Sequence, residues 1–296
     1  MKTVDLLDRG GGFAPPRPVM QSPIADCTAS LPRRVLEFGI ARNARVVAAR
    51  MRSTLARVSH RLTGWQAGQE SPAYGVALTH NFRDKTFRYC RYGTYGRRLA
   101  DYLAHQDAPF GFVDVGANQG LFSLLAARNP ACLAITAFEP VSKTFAYLRA
   151  NIALNGADRF IRPVNAAIGA RLGICEIAVK PGHSGVASLA RCEMFEHGST
   201  QQISLMDGVS AAREMPQHLP LIVKIDVEGH EQTVIEQLLA SPAAPQIVAI
   251  FYEMDERWAD VDAVRATLER AGFDRFTRYG IGRHGDILAE RSRSTH

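Results

Sequence analysis

Several things the chain lacks exclude whole classes of protein. Its five cysteines, Cys27, Cys90, Cys132, Cys175 and Cys192, are odd in number, widely scattered and never spaced C-x-x-C. That argues against a disulfide framework or a structural zinc site. No uninterrupted apolar run reaches the roughly 18 residues a membrane-spanning helix needs. The opening stretch "MKTVDLLDRGGGFAPPRPVM" carries Asp5 and Asp8 and has no apolar core. It reads poorly as a secretory signal, and a cytoplasmic protein is expected. There is no G-x-x-x-x-G-K-[ST], which removes the P-loop nucleotidases, and no internal repeat.

What is present fits a globular α/β unit with extensions. The 296 residues are 46% hydrophobic and 22% charged, the balance of a chain able to bury a large core. The formal charge of +6 is modest but unevenly placed. Arg33, Arg34, Arg42, Arg45, Arg50, Arg52, Arg57 and Arg61 are opposed between them only by Glu37. Residues 1–30, rich in Gly and Pro, read as a flexible arm. Residues 31–75 read as a basic helical extension, because Val47, Met51, Leu55, Val58 and Leu62 fall at steps of four, four, three and four and make one apolar stripe. Two readings of that helix stand: docked on its own domain with a solvated basic face, or lying on an anionic surface. The stripe has no Trp or Phe anchor for a bilayer.

From residue 76 to 296 buried strands alternate with helices. "GFVDVG", "CLAITAFEP", "RFIRPVNAAIG", "LIVKID" and "PQIVAIFYEM" read as core strands. "NQGLFSLLAARN", "SKTFAYLRANIALNG", "HEQTVIEQLL" and "ADVDAVRATLERAGF" read as helices, the second with Ser142 as its cap and Gly156 beyond its end. "KTFRYCRYG" reads as a short strand before a helix in "YGRRLADYLAHQ". "ICEIAVK" and "QQISLMD" read as extra edge strands, and "DRFTRYG" with "GDILAE" as a closing hairpin. Such alternation implies a mostly parallel sheet covered on both faces. Ligands of such sheets bind beyond the carboxyl ends of the strands, where Asp114, Glu139, Asp226 and Glu253 all fall.

The glycine turn "DVGANQG" narrows the ligand. Gly116 can take a positive φ, Gly120 allows close packing, and the following helix start offers N–H groups suited to a carboxylate. The dinucleotide pattern G-x-G-x-x-G is not met, since Asn118 stands where a second glycine would approach a pyrophosphate. Asp114, just before the turn, would repel a pyrophosphate but suits a ligand bearing an ammonium and a sulfonium. Glu139, 25 residues later at the end of the next strand, is placed to grip a ribose diol. S-adenosylmethionine meets all of these conditions and NAD only the last.

"FVDVGANQGLFSLLAA", "FEPVSKTFAYLRANIALNG", "NAAIG" and "KIDVEGHE" together resemble the FkbM family of S-adenosylmethionine-dependent methyltransferases over roughly residues 110–255. The resemblance implies a class I methyltransferase (Rossmann-like) fold, with a seven-stranded, mostly parallel sheet, helices on both faces and the last strand antiparallel. It also implies O-methylation of a hydroxyl, often on a sugar, glycolipid, polysaccharide or polyketide product. By the same resemblance Asp114, Gly116, Ala117, Asn118 and Gly120 cradle the methionine portion, Glu139 and Pro140 the ribose, and Asn165 the adenine. In "SLMDGVS", Asp207 is displaced from the position that the family leads one to expect.

"DVEGHE" then occupies the acceptor side. Methyl transfer to an alcohol is an in-line displacement helped by positioning and by a base. His230 is the expected proton acceptor, Glu228 its orienter, and Asp226 the bridge between cofactor and acceptor. The plainer alternative makes these residues helix caps, with Glu231 complementing the helix dipole. A metal held by Asp226, Glu228, His230 and Glu253 is the competing chemistry, but their spacing matches no metal motif, so none is expected. The remaining histidines form no spaced cluster and read as solvent or packing residues. "KPGHSGVASLARCEMFEHGS" reads either as an acceptor loop or as ordinary surface. The expected partner is a small-molecule or glycan acceptor, with membrane contact through residues 33–61. An RNA methyltransferase guided by the basic arm is less favoured, because the core lacks an Asn-Pro-Pro-Tyr type tetrapeptide and "FYEMD" stands at the fifth strand instead. A membrane-docked protein that binds the cofactor without catalysis is a second alternative, and a dinucleotide oxidoreductase a third.

Overall fold

The computed structural model describes residues 51, 73–180, 182–186, 199–256, 260–280 and 282–292. The chain divides into compact units Met1–Val47 and Ala48–His296, and all the described residues belong to the second. The predicted arm and the basic stretch 33–61 fall, Met51 apart, outside the described residues.

Ten strands are described: β1 Phe110–Val115, β2 Cys132–Phe138, β3 Ile161–Val164, β4 Ala167–Ile168, β5 Gly173–Val179, β6 Ser199–Met206, β7 Leu221–Ile225, β8 Ile247–Asp255, β9 Arg275–Tyr279 and β10 His284–Glu290. The α-helices, numbered here in chain order, are α1 Lys85–Tyr92, α2 Arg97–Ala104, α3 Leu121–Ala127, α4 Ser142–Leu154, α5 Gly208–Glu214, α6 Glu231–Leu239 and α7 Val261–Arg270. Seven strands form one sheet in the order β3-β2-β1-β7-β8-β10-β9. It is parallel except for β10, which runs antiparallel to both its neighbours. The order reverses between β1 and β7, and that switch point opens a crevice for a ligand.

Alternation along the strands builds two cores. Phe112, Ile135, Ile222 and Phe251 point to one face, where α1 to α4 contribute Phe87, Leu99, Leu121, Leu148 and Ile152. Val113, Val223, Ile225 and Ile250 point to the other, against Ala211, Val234, Leu238, Val264 and Leu268 of α5 to α7. Both faces are therefore dry, which is why these strands read as continuous apolar runs.

Three local expectations change. "KTFRYCRY" is α1 rather than a strand: the Asp84 carboxylate accepts from Phe87 N at 2.9 Å, Gly93 ends the helix at φ +65°, and Phe87, Cys90 and Arg91 share the buried side. The local cap and C-terminal glycine outweigh the strand preference of its aromatics. Ser142 does not cap α4, because Val141 holds the cap position without a side-chain bond and Ser142 Oγ instead accepts from Gln201. The third predicted strand divides, β3 staying in the main sheet while β4 joins β5 and β6 in a separate three-stranded sheet. Displaced Asp207 has a plain role there, capping α5 through Ser210 N at 2.8 Å. Among the described residues Cys90, Cys132 and Cys175 form no disulfide, and no helix is long and apolar enough to cross a membrane.

Candidate active site

β1 delivers Asp114 and then turns through Gly116 and Gly120 into α3. Gly116 adopts φ +75°, and a Cβ there would lie 2.0 Å from the carbonyl oxygen of Asp226, so only glycine lets the two strand ends meet. Gly120, at φ +87°, faces Leu148 with a Cβ position 2.6 Å from its side chain. The turn's amides are occupied within the protein. Gly116 N and Ala117 N donate to Phe138 O, Asn118 N to Glu139, Gln119 N to Asn118 Oδ1 and Ser123 N to Asp114. The amides of the turn itself are thus committed within the protein, and a ligand carboxylate is left to the first amides of the helix.

Asp114 also differs from expectation. It is fully buried and absent from the cavity wall; Oδ2 accepts from Ser123 N and Oγ, and Oδ1 lies 3.2 Å from Lys224 Nζ. Asp114 and Lys224 are register partners on the paired strands β1 and β7, so their side chains leave the same face side by side. The cation that answers Asp114 is thus the protein's own. Lys224 Nζ also donates to Gly116 O at 2.6 Å and Val115 O at 3.2 Å, and lies 3.9 Å from Asp226. Burial disfavours its charge, but Asp114 and Asp226 outweigh burial and hold its pKa up. A lone lysine in "LIVKI" was the sequence signal for this group.

Glu139 stands where the sequence put it, at the end of β2 in the cavity wall. Its oxygens accept from Asn118 N at 3.0 Å and Val141 N at 2.9 Å. Burial pushes its pKa up to about 7 despite those two bonds. Each oxygen retains a lone pair for a ribose hydroxyl. Pro140, Ala166, Ala167, Ile168 and Ile177 continue the wall. Asn165 does not line it; its amide donates to the carbonyls of Glu139 and Pro140 at 2.8 and 3.0 Å and braces that corner from outside.

At the far side Asp226, Glu228, His230 and Glu253 line the same cavity. Tyr95, which nothing in the sequence marked, donates its hydroxyl to Asp226 Oδ2. Glu228 has φ +56°. Glu231 holds this turn, accepting from Val227 N at 3.1 Å and from Gly229 N at 3.0 and 3.1 Å. The structural work expected of the whole knot therefore falls to Glu231. His230 occupies the cap position of α6 but makes no side-chain capping bond, and burial lowers its pKa.

Carboxylate oxygens of Asp226, Glu228 and Glu253 all lie within 4.8 Å of one another, a spacing able to hold a hard cation. Burial, then Asp226 and Glu228, push the Glu253 carboxyl well above the usual carboxylate range. His284, read from sequence as a packing or solvent residue, lies 3.2 Å from Glu253. His183, unlike His284, lines the cavity, edge-on to Tyr89 at 6.3 Å.

A sheet with this order, a glycine turn over its switch point and an acid ending the next strand make the class I methyltransferase architecture. The chain matches the methyltransferase FkbM domain over residues 114–275 and belongs to that family. Membership of that family makes S-adenosylmethionine its methyl donor. Similar solved structures include TrmK of M. capricolum in complex with S-adenosyl-homocysteine, at 12% identity and TM-score 0.42 over 66% of this chain and 67% of that one. Another is precorrin-6y C5,15-methyltransferase of Geobacter metallireducens GS-15, at 13% and 0.38 over 66% and 88%. A third is an O-methyltransferase family protein of Burkholderia thailandensis, at 11% and 0.39 over 70% and 58%. No curated protein sequence matches the chain. The residues present fit the donor: the buried Glu139 side chain stands in the cavity wall with acceptor capacity to spare for a ribose hydroxyl.

Proposed function

We propose that the protein methylates a hydroxyl of a sugar, polysaccharide, glycolipid or related natural product. The observation that supports this most is His230, an imidazole with a lowered pKa and no capping duty, in the same cavity wall as Asp226 and Glu228. When bound, S-adenosylmethionine supplies an electrophilic methyl group on a sulfonium. Gly116, Ala117 and Asn118 with Glu139 and Pro140 hold it, and Tyr95 and Lys224 fix Asp226 beside it. His230 takes the proton of the acceptor hydroxyl as that oxygen becomes nucleophilic, and Glu228 orients the imidazole or the hydroxyl. An alcohol near pKa 15 to 16 gains most from a base acting as the new bond forms, a contribution of about 10²- to 10⁴-fold. The arginine-rich stretch 33–61 supports a cytoplasmic enzyme docked on the anionic surface that presents such acceptors.

The experiment is transfer of a labelled methyl group from S-adenosylmethionine to fractionated glycans and lipids. Glu139→Ala is expected to lose cofactor binding by calorimetry, whereas His230→Ala keeps binding and loses transfer. Label found only in RNA would overturn the acceptor class.

A further inference from the structure

Segment 182–186, which includes the short 3₁₀ turn Ser184–Val186, is tied to the start of α1 and to the glycine turn. Lys85 N donates to Gly182 O at 3.0 Å, and Gly185 N to Thr86 Oγ1 at 2.9 Å. Ser184 N donates to Asp84 Oδ2 at 2.7 Å, and Ser184 Oγ lies 3.1 Å from Asp84 Oδ1 and 3.0 Å from Asn118 Oδ1. Asp84 is itself buried, and its Oδ1 also accepts from Phe87 N at 2.9 Å and Gln119 Nε2 at 3.2 Å. One carboxylate thus joins three stretches far apart in sequence: the start of α1, the glycine turn and segment 182–186. The approach is tight enough that a Cβ on Gly185 would lie 2.7 Å from Thr86 Oγ1.

His183, Ser184 and Gly185 form cavity wall next to Asn118 and Gln119. We propose that Asp84 is a positioning residue that latches segment 182–186 over the glycine turn and so retains the bound donor. It touches neither donor nor acceptor; its effect passes through Ser184 and Gln119. The inference depends on S-adenosylmethionine as cofactor and not on the identity of the acceptor.

The geometry supplies a selective variant. In Asp84→Asn the amide oxygen can keep the cluster of donors at Oδ1, so α1 stays capped, while the amide nitrogen is set against Ser184 N–H, donor against donor. Thr86→Val removes the acceptor of Gly185 N with the side-chain shape retained, and tests the latch without touching the cap.

The probe is S-adenosylhomocysteine, with its release followed by rapid-mixing displacement and amide exchange followed by mass spectrometry. Each variant is expected to release the probe about tenfold faster, the effect of losing one hydrogen bond worth about 1.4 kcal/mol. Association should change little, and amides 184 and 185 should lose protection in both variants. A merely structural role predicts a lower melting temperature without faster release. Faster exchange at 184 and 185 with an unchanged release rate overturns the proposal, as does protection that survives both substitutions. No binding of the probe to the unaltered protein would sink the cofactor assignment, and the proposal with it.

Discussion

Lys224 Nζ sits 3.2 Å from Asp114 Oδ1 in a position where both side chains are almost wholly shielded from water. The pair joins the two strands at the switch point, and the ammonium also holds the carbonyl of Gly116. A buried pair of this kind adds little over a well-packed apolar pair, but losing one partner strands the other charge. Lys224→Met should therefore destabilise the fold by about 3–5 kcal/mol in urea denaturation. Adding Asp114→Asn should recover part of that loss, because no bare carboxylate remains. A double variant as unstable as the sum of the singles would mean the pair is not coupled.

Two glycines with similar backbone angles should respond differently to alanine. Gly116 and Gly156 have φ of +75° and +61°, but a Cβ at Gly116 meets Asp226 O at 2.0 Å while one at Gly156 meets nothing within 4 Å. Gly156→Ala should cost about 1 kcal/mol, the left-handed strain alone. Gly116→Ala must part β1 from the end of β7, and should lose cofactor binding along with considerably more stability. Equal melting temperatures for the two variants would refute the argument.

The core strands and most helices were legible because each core strand is buried on both faces and each helix carries its own stripe, as in Phe112 against Val113. The place of Glu139 in the cavity wall was legible because an acid ending a buried parallel strand falls at the open rim of the sheet. Asp114 misled because the sequence shows a charge but not its partner, and Lys224 lies 110 positions away. α1 misled because aromatics favour strands locally, whereas Asp84 reaches its full set of donors only after Gln119 and Ser184 arrive from distant segments. Tyr95 left no trace at all, its role arising from a bond to Asp226 across 131 positions.

Glu139 gives a pH prediction for stability. Its pKa rises from an ordinary 4.5 to about 7 on folding, chiefly through burial. The folded state therefore holds the proton more tightly. Its contribution is fully present below pH 4.5 and is lost as pH rises through 7, by roughly 3 kcal/mol at about 1.4 kcal/mol per unit. The stability of Glu139→Gln relative to the unaltered chain should rise across that window and level off above it. Other acids titrate in both proteins and cancel from the difference. A flat difference between pH 4.5 and 7.5 would show that this carboxyl is not proton-hungry.

His230 gives the matching prediction for catalysis. Burial lowers its pKa from 6.5, and its neutral form is the one able to take a proton. The acid limb of kcat/KM with saturating cofactor should therefore bend below pH 6.5 and be absent in His230→Asn. That variant should lose about 10²- to 10⁴-fold in kcat, while its calorimetric affinity for S-adenosylhomocysteine stays near that of the unaltered protein. Glu228 touches the same face, so Glu228→Gln separates an orienter from the base: it should lower kcat and keep the acid limb. If that limb instead disappears with Glu228→Gln and persists in His230→Asn, the carboxylate is the proton acceptor and the two roles exchange.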